Sequence, residues 1–97
     1  MTTDLREFTG LVKFTAKWCA PCKAADPIIK KVATDHNVDL VTIDIDDEPN
    51  IASEFGVRSV PTLMTFKNGV PVRLIVGSVS EEKYIDLVTE SGLTNGR

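Results

Sequence analysis

The chain has 97 residues, of which 42% are hydrophobic and 26% charged, and a formal net charge of −3; this is the composition of one ordinary globular domain over residues 1–97 and excludes a disordered or fibrous chain. Acidic and basic residues are interspersed, so no basic stripe can neutralise phosphates, which argues against nucleic acid as a partner. The N-terminus is charged and no run approaches about 20 apolar residues, so we expect neither a signal peptide nor a membrane span, and a cytosolic location.

The first half of the chain predicts a strand, a helix and a second strand. Residues 11–16 are rich in apolar and β-favouring residues, which is typical of a central strand. Apolar residues at helical spacing predict an amphipathic helix over residues 20–34, which Pro27 should kink. The β-branched residues of segment 39–45 then predict a second strand.

The second half predicts a short helix, a hairpin and a last helix. We expect Asp46 or Asp47 to cap a helix over residues 48–55. Asn68-Gly69 separates two β-favouring segments, 62–67 and 70–76, and is a strong hairpin signal. A final helix should run from the cap at Ser80 to about Ser91.

The element order is therefore β-α-β-α-β-β-α. A right-handed first crossover and an antiparallel hairpin predict an α/β fold with a mixed four-stranded sheet and helices on both faces. Loops at the carboxyl end of the first strand would carry the active site.

Cys19 and Cys22 are the only two cysteines, and they fall at the predicted start of the first helix. Two thiols at this spacing can close a small disulfide ring, and a helix N-terminus favours thiolate over thiol. A tetrahedral zinc site needs about four ligands and only His36 adds a nitrogen, so we expect no metal in the monomer; two chains sharing their cysteine pairs are the alternative. The spacing thus predicts a reversible dithiol.

Several short motifs together resemble the thioredoxin family from about Leu11 to Leu93. They are Trp18-Cys19-Ala20-Pro21-Cys22-Lys23, then Pro27, Val60-Pro61-Thr62, Phe66-Lys67-Asn68-Gly69 and Gly77. Tryptophan before the cysteine pair and Val-Pro-Thr opening a later strand make this match far more specific than a lone Cys-x-x-Cys.

The resemblance implies a thioredoxin-like fold and a protein thiol-disulfide oxidoreductase. Cys19 would be the exposed nucleophile that attacks a substrate disulfide, and Cys22 the buried thiol that resolves the mixed disulfide. Pro61 would be the family's cis-proline. A flat apolar substrate surface would comprise Trp18, Ala20, Pro21, Val60, Pro61, Val76 and Gly77.

The same resemblance implies partners and cofactors. The partners would be a flavoprotein thioredoxin reductase and disulfide-containing proteins such as ribonucleotide reductase. We expect no cofactor beyond the redox-active Cys19–Cys22 disulfide, and a monomer. A glutaredoxin-like or other reductase-coupled small redoxin, and a non-catalytic binding module on the same fold, are the alternatives.

The chain departs from the family pattern in three places. Lys13 stands where the family usually has a buried acid, and Thr42 where it often has a lysine. Ala20 replaces the usual glycine, which stiffens the loop. Residues 1–10 are too few for the family's first strand and helix, so we expect a trimmed sheet.

Two lysines near the cysteines have alternative interpretations. Lys13 could tune the pKa of Cys22, by its charge or as a neutral amine. The simpler interpretation, which we expect, is that its stem lies on apolar surface and its ammonium reaches water. Lys23 either biases the thiolates electrostatically or is an ordinary surface lysine.

Overall fold

The seven predicted elements are present, in the predicted order, in a computed structural model that describes residues 3–93. Their bounds are β1 Gly10–Thr15, α1 Ala20–Asp35, β2 Leu40–Asp44, α2 Pro49–Glu54, β3 Thr62–Lys67, β4 Val70–Val76 and α3 Glu81–Glu90. The α/β class and the hairpin at Asn68-Gly69 are confirmed. The helix α1 continues through Pro27.

The strands form one mixed sheet in the order β2-β1-β3-β4. The central strand β1 is parallel to β2 and antiparallel to β3, so that Lys13 lies opposite Thr42 on one side and Leu63 on the other. β4 pairs only with β3 and forms an edge. The expected four-stranded sheet is confirmed within the described residues.

Helices cover both faces of the sheet. Successive side chains of β1 point in opposite directions, so this strand contributes to a core on each face. Leu11 belongs to the core formed with α1 and α3, which includes Ile29 and Tyr84. Phe14 belongs to the core on the opposite face, which includes Ile51 of α2. Lys13 alternates with Val12 and Phe14 and therefore lies on the α1 face.

The turn before α2 corrects one prediction. Neither Asp46 nor Asp47 caps the helix; Glu48 precedes it and makes no side-chain cap bond. Instead, the Asp44 carboxylate accepts hydrogen bonds from the peptide N–H of Asp46 at 2.8 Å and of Asp47 at 3.3 Å. The Asp44 side chain, at the end of β2, thus stabilises the turn by accepting hydrogen bonds from the backbone of the residues that follow it.

No helix among residues 3–93 is long and apolar enough to cross a membrane.

Candidate active site

The cysteine pair lies where β1 gives way to α1. Cys19 is the N-cap of α1, and its sulfur accepts a hydrogen bond from the peptide N–H of Cys22 at 3.1 Å. Pro21 falls in the first turn of the helix, where a missing N–H costs nothing because that group has no partner within the helix. A sulfur at this position meets the positive end of the helix dipole, which favours the thiolate.

Cys19 and Cys22 are joined by a disulfide, with Cα atoms 5.3 Å apart. The structure therefore shows the oxidised state. Both side chains are buried, Cys19 at 3% exposed and Cys22 at 4%. The prediction of an exposed Cys19 is wrong for this state, because its sulfur is bonded to Cys22 and the pair packs with Ala16, Ile45 and Val60.

A second segment, Val60-Pro61, lies against Cys19. The Val60–Pro61 peptide bond is cis, as expected, and the Val60 carbonyl oxygen is 3.6 Å from Cys19 Sγ. The N–H of Gly77 donates to the Pro61 carbonyl at 2.7 Å. The end of β4 is thereby fixed beside the disulfide.

The seven residues predicted to form the substrate surface differ in their exposure. Trp18 is 68% exposed and Val76 56%, and Ala20 and Pro21 are also exposed, whereas Val60 and Gly77 are half-buried and Pro61 is buried. Trp18 is the more exposed of these two large apolar side chains. Its indole Nε1–H donates to Asp46 Oδ2 at 2.8 Å, a contact that sequence reasoning missed.

The position of Lys13 contradicts the expectation that its ammonium reaches water. Its side chain is only 5% exposed and its Nζ contacts Asp26 Oδ1, so the ammonium meets a carboxylate and not bulk water. Burial lowers the pKa of Lys13, and the nearby Lys30 ammonium lowers it further; the Asp26 carboxylate acts in the opposite direction because it favours the charged form.

Asp26 is the residue near the cysteines that sequence reasoning missed. It follows Cys22 by four residues on α1, so the two side chains lie on one helix face. That spacing could have identified it, had it been read together with Lys13 on the facing strand. Lys23 is exposed and lines the same cavity as Cys22, Lys13 and Asp26.

Residues 3–93 contain no group of three or more histidine, cysteine, aspartate or glutamate side chains that could hold a metal ion. His36 is the C-cap of α1, at the opposite end of the helix from Cys19. A helix of 16 residues is about 24 Å long at about 1.5 Å per residue, so His36 cannot join the cysteines around one ion.

Comparisons with known proteins point to one family. The family model described as Thioredoxin matches residues 4–90. A protein named thioredoxin from Staphylococcus haemolyticus is 39% identical over 87 residues, covering 88% of this chain and 84% of its own length. One from Porphyra purpurea is 44% identical over 71 residues, covering 71% of this chain and 66% of its own length.

Solved structures agree with this match. A thioredoxin variant from Halobacterium salinarum superposes with a TM-score of 0.79 at 36% identity, covering 84% of this chain and 72% of that one. A thioredoxin from Nicotiana alata gives a TM-score of 0.79 at 32% identity, covering 89% and 76% of the two chains. The fold expected from the sequence is confirmed by both.

Proposed function

The chain belongs to the thioredoxin family of thiol-disulfide oxidoreductases, and from this premise we propose that it reduces protein disulfides by dithiol exchange through Cys19 and Cys22. The observation that carries the proposal is the Cys19–Cys22 disulfide at the start of α1, next to the Val60 carbonyl. A disulfide between neighbours on one helical turn is the oxidised product of such an exchange.

Cys19 attacks and Cys22 resolves. The Cys19 sulfur is the N-cap atom and accepts the N–H of Cys22, an environment that favours its thiolate. The thiolate attacks one sulfur of the substrate disulfide and displaces the other as a thiolate, which takes a proton from water. Cys22 then attacks Cys19, the mixed disulfide breaks, and the second substrate thiol leaves.

The substrate lies on the seven residues named for it from the sequence. Trp18 and Val76 offer exposed apolar side chains, and exposed apolar area is what a partner covers. Pro61 is buried, so it contributes by placing the Val60 backbone beside Cys19 and not by offering surface of its own. Ala20, Pro21 and Gly77 complete the surface.

The partners that we propose follow from family membership. A flavoprotein thioredoxin reductase returns the Cys19–Cys22 disulfide to the dithiol, and disulfide-containing proteins such as ribonucleotide reductase are the substrates.

The chain acts as a monomeric single domain without an added cofactor, in the cytosol. A relative from Chlamydomonas reinhardtii is named chloroplastic, so the compartment is to be tested by locating the tagged full chain.

The test is insulin disulfide reduction with NADPH and thioredoxin reductase, run beside a glutathione-coupled version. We expect turnover with the reductase and none in the Cys22→Ser variant. Activity with glutathione alone would identify a glutaredoxin-like redoxin. Activity with neither system would identify a binding module, and either result would overturn the proposal.

A further inference from the structure

Lys13 is a charged side chain in the middle of the sheet. It lies on the central strand β1 and is 4% exposed. Moving an ammonium group out of water costs free energy unless a partner compensates. Its partner is Asp26 of α1, whose second oxygen lies 3.2 Å from Lys30 Nζ. Both carboxylate oxygens of Asp26 are therefore occupied by ammonium groups.

The ion pair lies beside the resolving cysteine. Lys13, Asp26 and Cys22 line one cavity of about 430 Å³ between β1, β2 and α1. The other charged side chains that line it are Lys17, Lys23, Lys30 and Asp44. The cavity that Cys22 lines thus has four ammonium groups and two carboxylates in its wall, a surplus of positive charge.

The four lysines do not contribute equally. Lys30 is 64% exposed, and Lys17 and Lys23 are exposed as well, so water and salt screen their charges. Lys13 is buried, and a charge in a poorly solvated site acts more strongly on its neighbours. Of the four, the ammonium least screened by water and salt is therefore that of Lys13.

We propose that the Lys13 ammonium, held in place by Asp26, stabilises the thiolate of Cys22 while the mixed disulfide is resolved. This inference rests on the proposed function. The Cys22 thiol releases its proton to water that enters the cavity at Asp26, which is 32% exposed. The sulfur electron pair then forms a bond to Cys19 Sγ, the bond between Cys19 and the substrate sulfur breaks, and the substrate leaves as a thiolate that takes a proton from water.

Asp26 itself is a poor acceptor for the thiol proton. An ammonium group at each of its oxygens stabilises the carboxylate form and so opposes the uptake of a proton. Asp26 is a positioning residue: its carboxylate offsets the cost of burying Lys13 and keeps the ammonium at the cavity wall.

The test measures the Cys22 thiol directly. In a Cys19→Ser background Cys22 is the one remaining thiol, and the ultraviolet absorbance of its thiolate gives a titration midpoint without any substrate. We expect Lys13→Met to raise that midpoint by about one unit, roughly a tenfold loss of thiolate at a fixed pH below it. Lys13→Arg keeps the charge and should keep the midpoint. Lys31→Met is the control, since Lys31 lies on α1, the helix that carries Cys22 and Asp26, but pairs with Asp35 and Glu81.

A second variant guards against misfolding. Lys13→Met/Asp26→Leu removes both charges and replaces them with apolar side chains of suitable volume. We expect a smaller upward shift than in Lys13→Met, because the lost carboxylate no longer opposes the Cys22 thiolate, while Asp26, at 32% exposed, is screened more than Lys13. A parent-like midpoint in folded Lys13→Met would overturn the proposal, as would a midpoint below that of the parent in the double variant. An equal shift in Lys13→Met and Lys13→Arg would also overturn it, since it would indicate packing and not charge.

A kinetic measurement distinguishes the role of the Lys13 ammonium from that of the Asp26 carboxylate. In the protein with both cysteines, Lys13→Met should displace the pH profile of mixed-disulfide resolution towards alkaline pH by the same amount. A parent-like profile in Lys13→Met with a loss of resolution in Asp26→Asn would identify the carboxylate as the proton acceptor and overturn the proposal. Because the titration needs no turnover, failure of the proposed function would leave its result interpretable.

Discussion

The peptide N–H of Gly77 donates a 2.7 Å hydrogen bond to the carbonyl oxygen of Pro61, which joins the end of β4 to the residue that precedes β3. Gly77 has a φ of +97°, a value that side chains with a Cβ rarely adopt. Its own carbonyl accepts a hydrogen bond from the Tyr84 hydroxyl at 3.0 Å. Both the N–H and the carbonyl of Gly77 are therefore hydrogen-bonded. The bond to Pro61 in turn fixes the position of Val60-Pro61 beside the disulfide.

Gly77→Ala should destabilise the protein through backbone conformation alone. No heavy atom lies within 4 Å of a Cβ added at Gly77, so the new methyl group has room. The cost is that of forcing alanine to a positive φ, roughly 1–3 kcal/mol. Urea unfolding should show this loss for Gly77→Ala, and a much smaller one for Ser78→Ala at the exposed next position. Equal stabilities of the two variants would contradict the role given to φ.

Tyr84→Phe should change stability in a pH-dependent way. Burial raises the pKa of Tyr84 above its usual value, so the folded state keeps a phenol proton that the unfolded state loses above about pH 10. The stabilisation is fully present below that pH and is lost as the pH rises through the folded pKa. At neutral pH we expect Tyr84→Phe to lose about 0.5–1.5 kcal/mol, because the hydrogen bond to Gly77 disappears.

The measurement is chemical denaturation of the parent and of Tyr84→Phe between neutral and alkaline pH. The difference in unfolding free energy between them isolates Tyr84, since all other groups are shared. That difference should shrink above about pH 10. Tyr84 is the chain's one tyrosine, so phenol absorbance reports its ionisation in the same samples. A difference that stays constant with pH would contradict the raised pKa.

Most of the fold could be predicted from the sequence because the patterns that determine helices, strands and turns are local. Asn68-Gly69 adopts the hairpin turn, with Asn68 and Gly69 both at positive φ, as the turn chemistry of this dipeptide requires. The helix start at Cys19 and the alternation along β1 are equally local. The cap of α2 was misplaced because Asp44, Asp46 and Asp47 offer similar side chains, and local pattern does not say which one turns back to the backbone.

Lys13 could not be placed from its own neighbourhood in the sequence. A lysine in a strand usually extends to water, and only the packing of α1 across β1 brings Asp26 to its ammonium. The burial of Cys19 was missed for a related reason, since it depends on the disulfide and on Val60, a residue distant in the chain. Contacts between elements are decided by tertiary packing, which propensity and periodicity do not contain.

Trp18→Ala should weaken substrate reduction with little effect on folding. The side chain is 68% exposed, so its removal exposes little core, and a surface substitution of this kind usually changes stability by about 0.5 kcal/mol or less. Aromatic side chains often dominate contact with a partner, and we expect kcat/KM for insulin to fall about tenfold, a loss of about 1.4 kcal/mol.

The matched control for Trp18→Ala is Val70→Ala. Val70 is 61% exposed but lies at the hairpin end of β4, away from the cysteines. Its removal should leave kcat/KM unchanged. An equal fall in both variants would show that the effect is not specific to the proposed substrate surface.

The assignment of attack to Cys19 and resolution to Cys22 is tested most directly by trapping the mixed disulfide. The reduced Cys22→Ser and Cys19→Ser variants are each mixed with a short peptide that contains one disulfide, and intact-protein mass spectrometry follows the adduct. We predict that Cys22→Ser accumulates a covalent peptide adduct that dithiothreitol removes, whereas Cys19→Ser remains largely unmodified. An adduct on Cys19→Ser with none on Cys22→Ser, or none on either variant, would contradict the account.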